Sequence, residues 1–227
     1  MAESPGEKLT MPLSNPSNFE VADERRATKL VIFDLGGVVF RHSFDHALAH
    51  WATKSGTAFD DLKRRFSHDE AYALHETNHI GIAEYKDHVC RVLGMTLSLN
   101  NFIDGWNAIF EDEVPGVRGV VEHLKKTRPV AVLSNTNHTH CEFIKTKFAD
   151  VLATFDRVFY SHEIRARKPD REAYQTVLGA FGVAAEQALF LDDLSENIEG
   201  ARAVGLQTVH VRDFATMVAG LRDCGLG

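Results

Sequence analysis

Three short apolar runs, each ending in a polar motif, constrain this chain more than any other feature. They are Leu30-Val31-Ile32-Phe33, Val130-Ala131-Val132-Leu133 and Ala188-Leu189-Phe190-Leu191. Runs this short and this continuously apolar read as strands buried on both faces, which a parallel sheet covered by helices provides. Strands alternating with helical patterns predict an α/β fold, a doubly wound, Rossmann-like parallel sheet. Such sheets bind ligands beyond the carboxyl ends of their strands. The residues placed there are Asp34-Leu35-Gly36-Gly37, Ser134-Asn135-Thr136-Asn137 and Asp192-Asp193 with Asn197. A fourth motif, Arg167-Lys168-Pro169-Asp170, opens a helical stretch that runs to Phe181.

The spacing divides the chain unevenly. Residues 1–28 hold three of the six prolines and no apolar core, and read as a mobile tail. Residues 29–43 and 114–227 carry the strand–helix pattern of the core. Between them, 44–113 reads as an inserted helical cap, with helices near 44–54, 58–66, 68–78, 82–93 and 98–110 and breaks at Gly56, Gly81 and Gly94. Leu48, Trp51 and Ala52 recur at helical spacing, as do Ile82, Tyr85, Val89 and Val92. After the strand at Leu30–Phe33, no further strand pattern is expected before Val130.

Composition excludes several classes of function. No apolar stretch approaches the roughly 18 residues of a membrane span. A net charge of −7 without a dense Lys/Arg block argues against nucleic acid and anionic membranes as partners. Cys90, Cys141 and Cys224 are scattered and odd in number, which fits free thiols in a reducing, cytoplasmic compartment.

The polar motifs suit phosphate and a hard cation. A carboxylate at position 34 can attack phosphorus with one oxygen and hold a metal with the other, and the glycines after it let backbone approach a ligand. Ser134 and Asn135 would cap a helix or hold phosphate oxygens through hydroxyl, amide and backbone N–H groups. Lys168 would ordinarily be a surface charge; beside Asp34 and Asp193 it becomes the counter-charge of a phosphoryl group. Adjacent carboxylates such as Asp192 and Asp193 repel unless a cation joins them, and oxygen ligands of this kind select Mg²⁺. Asn197 lies one helical turn on and can orient them.

In this order and spacing the four motifs resemble the haloacid dehalogenase superfamily of aspartate-nucleophile phosphohydrolases. That resemblance covers approximately Lys29–Val211, and the wording of the motifs themselves is similar to the α-D-glucose-1-phosphate phosphatase branch. The resemblance implies an Mg²⁺-dependent phosphatase acting on a small phosphorylated metabolite. It makes Asp34 the nucleophile and Ser134 and Asn135 the phosphate ligands, with Lys168 as the neutralising cation. Mg²⁺ would sit on Asp34, the Gly36 main-chain carbonyl, Asp193 and Asp192. The cap residues His75 and Glu76 would face the substrate.

One departure matters. Phosphatases of the superfamily usually carry a second aspartate two positions after the nucleophile, as acid to the leaving group and base to water. This chain has Gly36 there. General acid–base catalysis is worth about 10²–10⁴-fold, so three outcomes are open: a borrowed acid, His42 or Asp45; a substrate with a good leaving group, such as a sugar 1-phosphate; or lost turnover. The last would make the protein a non-catalytic binder of phospho-ligands. A metal-free dehalogenase also tolerates the change but leaves the paired aspartates without purpose. His75-Glu76-Thr77-Asn78-His79 matches a zinc-protease string, though the helix pattern there is short. His138 and His140 read as a solvated helix start.

Overall fold

The computed structural model describes residues 27–227, so the tail expected at 1–28 lies, but for its last two residues, outside them. The chain begins with β1 (Leu30–Phe33), β2 (Phe40–His42), α1 (Phe44–Ser55), α2 (Phe59–Arg65), α3 (Glu70–Glu76), α4 (Ile82–Leu93), α5 (Leu99–Asn107) and β3 (Phe110–Glu113). It continues through α6 (Val117–Lys125), β4 (Val130–Ser134), α7 (His138–Lys147), α8 (Ala149–Leu152), β5 (Arg157–Tyr160) and α9 (Ser161–Ile164). It ends with α10 (Arg171–Phe181), β6 (Ala188–Asp192), α11 (Ser195–Val204), β7 (Gln207–His210) and α12 (Phe214–Asp223).

Five strands form one parallel sheet in the order β5-β4-β1-β6-β7. Every residue of β1 is fully buried, which explains why the run carries no polar residue. Alternation across the strand then sorts the side chains. Val31, Phe33, Val132 and Leu191 join one apolar cluster, while Leu30, Ile32, Leu133 and Phe190 join the cluster on the opposite face. Phe33 stands beside Val132 on one side and Leu191 on the other. Asp34 just past β1 and the last residues of β4 and β6, Ser134 and Asp192, are therefore neighbours on one sheet edge, at the point where the strand order reverses.

The helices between β2 and β3 pack through aromatic rings. Trp51 of α1 stacks on Phe102 of α5 with centroids 4.8 Å apart, and its indole N–H donates to the Phe102 carbonyl at 3.1 Å. Trp51, Phe102 and Trp106 belong to the same apolar cluster as Phe33 and Leu191, so these helices share a continuous core with one face of the sheet. Ser43 starts α1 by accepting from the Asp45 amide, and Gly56 in left-handed conformation ends it.

The helical expectation fails at one place. The last cap helix stops at Asn107, and Phe110–Glu113 is a strand paired antiparallel with β2, Phe40 opposite Glu113 and His42 opposite Phe110. Phe110 meets Phe40 edge-on at 5.4 Å, which anchors the ribbon. This two-stranded ribbon carries the chain into and out of the helices.

Candidate active site

Asp34 emerges from β1, its amide donating to Leu191 of β6 at 2.8 Å. Lys168 reaches it from the loop before α10. Its ammonium lies 2.7 Å from Asp34 Oδ1 and 2.7 Å from Asp192 Oδ2, with only 1% of the residue exposed. In place of a solvated surface lysine, the structure has a buried bridge between two carboxylates. Asn135 fixes the bridge from behind. Its side-chain amide accepts from the Lys168 N–H at 2.8 Å and donates to the Lys168 carbonyl at 2.8 Å. It does not cap a helix; Asn137 caps α7.

Asp192 is saturated. Its Oδ1 accepts from the Leu194 amide at 2.8 Å and its Oδ2 from Lys168, while Asn197 donates to both oxygens at 3.0 Å. Asn197 thus orients a carboxylate, as expected, but that carboxylate faces protein donors. Asp193 is the freer of the pair and stands against Gly37. A Cβ on Gly37 would collide with the Asp193 carboxylate, and φ of 73° there favours glycine independently.

Burial dominates the electrostatics. It pushes the Asp34 carboxyl up to about 7 against the pull of Lys168, and Asp192 and Asp193 add to the rise. Asp193 is raised by burial and then by Asp192. Lys168 is held above the usual lysine range because its two carboxylates outweigh its desolvation. Three carboxylates around one ammonium leave an excess of negative charge, with oxygens of Asp34, Asp192 and Asp193 within 4.8 Å of one another.

A cavity of about 600 Å³ opens over this cluster, lined among others by Asp34, Gly36, His42, Ser134, Lys168 and Asp193. Glu76 lines it too, but its carboxylate is held by Arg167 Nε at 2.9 Å. His75 is a correction. It does not line the cavity; it stacks on Tyr85 at 4.6 Å and its Nδ1 pairs with the Ile80 carbonyl at 3.1 Å. Adjacent helical residues point about 100° apart, and here the helix is phased so that Glu76 faces the cavity and His75 faces Tyr85. The zinc string fails for a related reason. Helix α3 ends at Glu76, Asn78 turns to a φ of 59°, and His79 pairs with Thr77 instead of sharing a face with His75.

Two other histidines also move. His138 is exposed, as expected, but His140 is buried, stacked on Trp106 at 4.5 Å and paired with its carbonyl at 3.0 Å. Asp45 pairs with Lys63 at 2.6 Å and does not line the cavity, which removes it as a substitute acid. His42 does line it. A Cβ on Gly36 would lie 3.1 Å from His42 Cε1 and Nδ1, so the imidazole fills the volume into which a side chain at 36 would grow. Among the described residues His42 Nδ1 is buried without a hydrogen-bond partner.

The sequence profile of the haloacid dehalogenase-like hydrolases matches residues 28–205. The chain is a haloacid dehalogenase-like hydrolase. Phosphatase MT3486 of Mycobacterium tuberculosis is 26% identical over 186 residues, 78% of this chain and 84% of that protein. D-ribitol-5-phosphate phosphatase of Bacteroides thetaiotaomicron is 24% identical over 79% of this chain and 90% of its own. Among solved structures, the HAD family enzyme bt-2542 of Bacteroides thetaiotaomicron, in complex with magnesium and inorganic phosphate, superposes with a TM-score of 0.69. It is 23% identical and covers 80% of this hydrolase and 93% of itself. Among the described residues of the hydrolase no helix is long and apolar enough to cross a membrane.

Proposed function

We propose that this hydrolase cleaves small phosphomonoesters through an aspartyl-phosphate on Asp34, with Mg²⁺ as its cofactor. The observation that carries the reading is the buried Asp34–Lys168–Asp192 bridge with Asp193 beside it at the floor of an open cavity. The donor set fits a hard cation, being all oxygen and richer in negative charge than Lys168 can balance. Asp34, the Gly36 carbonyl and Asp193 are assigned to the metal. Asp192, whose oxygens already accept four hydrogen bonds, is assigned to Lys168. Bound Mg²⁺ screens the phosphate and withdraws charge from a phosphoryl oxygen.

The chain's own residues do the rest. An Asp34 oxygen attacks phosphorus, the ester P–O bond breaks, and the leaving oxygen takes a proton from solvent to become the alcohol. Ser134 holds phosphoryl oxygens and Lys168 neutralises the charge moving onto them. Asn135 positions Lys168 through its main chain. Water then attacks phosphorus and gives a proton to His42, the bond between phosphorus and the Asp34 oxygen breaks, and the water oxygen leaves as part of inorganic phosphate. His42 takes the space left by Gly36, and burial holds its imidazole below the usual histidine range, so the resting ring is a base. The leaving alcohol has no dedicated acid, which suits a good leaving group; the anomeric oxygen of a hexose 1-phosphate is one.

Two measurements test this. Phosphate release from α-D-glucose 1-phosphate, glucose 6-phosphate and D-ribitol 5-phosphate should require Mg²⁺, stop in EDTA, and be fastest with the 1-phosphate. Failure of every ester with Mg²⁺ bound would leave a phospho-ligand binder. In His42→Ala the phosphoenzyme should form but break down slowly. Covalent phosphate on Asp34, read by mass spectrometry, should accumulate while kcat falls about 10²-fold or more. Equal loss of both steps would remove His42 from the second one.

A further inference from the structure

One wall of the cavity is left unused by the phosphoryl chemistry. Phe44 of α1, His68 of the loop before α3 and Tyr72 of α3 line it. His68 lies almost flat on Tyr72, with ring centroids 4.4 Å apart and planes 24° apart. Phe44 meets His68 steeply at 4.7 Å. Behind them Tyr72 is wedged edge-on against Trp106 at 6.1 Å and Tyr85 at 6.3 Å, so the stack is anchored in the aromatic core of the helices. His68 is the exposed ring of the stack, while Phe44 and Tyr72 are half-buried. Partial burial of the ring against Tyr72 and Phe44, together with the nearby Arg167 and His42, holds the His68 imidazole below the usual histidine range. Near neutral pH it therefore presents an uncharged, flat face.

Arg167 lines the same space. Its guanidinium is tied to Glu76 through Nε at 2.9 Å, and among the described residues no hydrogen bond engages its two terminal nitrogens. A flat face beside an unused pair of guanidinium donors matches a ring that carries oxygen substituents. The cavity, at about 600 Å³, has room for such a group beyond the phosphate.

We infer that the alcohol part of the substrate carries a ring, stacked on His68 within the Phe44–His68–Tyr72 wall, with a ring oxygen substituent on Arg167. The inference rests on the phosphatase reading, because it takes the phosphate to sit over Asp34. Flat rings of this kind have two sources, a sugar ring presenting its C–H face and a purine base presenting its π face. A linear polyol phosphate offers neither face and must lose more rotamer freedom on binding.

Equilibrium binding tests it without turnover. Asp34→Asn protein with Mg²⁺ is titrated calorimetrically with α-D-glucose 1-phosphate, guanosine 5′-monophosphate, D-ribitol 5-phosphate and inorganic phosphate. At least one ring ester should bind about tenfold or more tightly than the linear one, and the arm that does identifies the source. Adding His68→Ala should weaken the ring ester roughly 5- to 100-fold, the range of a lost stacking partner, and should erase its advantage over ribitol phosphate. Arg167→Met should lower the ring ester's affinity more than that of inorganic phosphate. A linear ester that binds as well as both ring esters would overturn the inference, as would a ring advantage that survives His68→Ala. Failure of the phosphatase reading shows elsewhere, as absent turnover in the native chain, and leaves these affinity ratios readable.

Discussion

Asp34→Asn should abolish phosphate release, by on the order of 10⁴–10⁶-fold, the loss seen when the residue that makes the covalent bond is removed. The substitution keeps the shape of the side chain and an oxygen that can accept from Lys168, which now stands 2.7 Å from Asp34 Oδ1. The fold should therefore survive. Stability supplies a second readout, with a defined sign. The Asp34 carboxyl sits at about 7 in the folded protein, above its ordinary value of 3.8, because burial disfavours its charge. Between those two pH values the folded protein holds a proton that the unfolded chain has released. Stability of the metal-free protein from this group accordingly falls as pH rises from 3.8 toward 7. Asparagine removes that slope, so thermal melts of the two metal-free proteins should diverge with rising pH in favour of the variant. Mg²⁺ requires the ionised carboxylates, so its stabilisation of the native chain should be larger at pH 8 than at pH 6 and smaller in Asp34→Asn. Retained turnover in the variant would place the nucleophile elsewhere.

The legible parts of this molecule are those in which sequence neighbours are also neighbours in space. The residues of β1 and β6 are all buried, so β1 and the first four residues of β6 are written as uninterrupted apolar runs. Asp34, Ser134 and Asp192 stand at strand ends, and a parallel sheet places such ends together whatever the loops do. Distant pairings were not legible. The β2–β3 ribbon joins Phe40 to Glu113 across the whole helical insert, and each strand is too short for a period to show. The phase of α3 was equally hidden: docking against Tyr85 turns His75 inward and gives the cavity to Glu76. Nothing local in Asn137-His138-Thr139-His140 says that the second histidine slides under Trp106. In the sequence Arg167 stands out only as the neighbour of Lys168. Its tie to Glu76 spans the helices and the sheet domain and needs both in place. The aromatic wall carried a local signal, since His68 and Tyr72 are four apart, but only the structure shows that these rings meet over the cavity.

Lys168→Met should cost both stability and activity, and a second substitution separates the two. The ammonium is buried between Asp34 and Asp192 and also lies 5.3 Å from the Phe190 ring centroid. Methionine fills the stem's volume but leaves the carboxylates unpaired in a dry site. Removing one partner of a buried charge pair costs about 3–5 kcal/mol. For a domain of this size that lowers Tm by roughly 6–20 °C. Turnover should drop about 10²–10³-fold, as when one donor to a developing oxyanion is lost. Adding Asp192→Asn removes the carboxylate that the lysine balances while leaving a side chain for Asn197 and the Leu194 amide to hold. The double variant should regain much of the lost Tm, a non-additivity expected of groups in direct contact. It should regain none of the turnover, because the phosphoryl group still lacks its cation. Recovery of activity along with stability would mean that Lys168 serves only to hold Asp192, and that the charge on phosphate is met by another group. Additive losses would mean that the bridge, close as it is, carries no net energy in the folded protein.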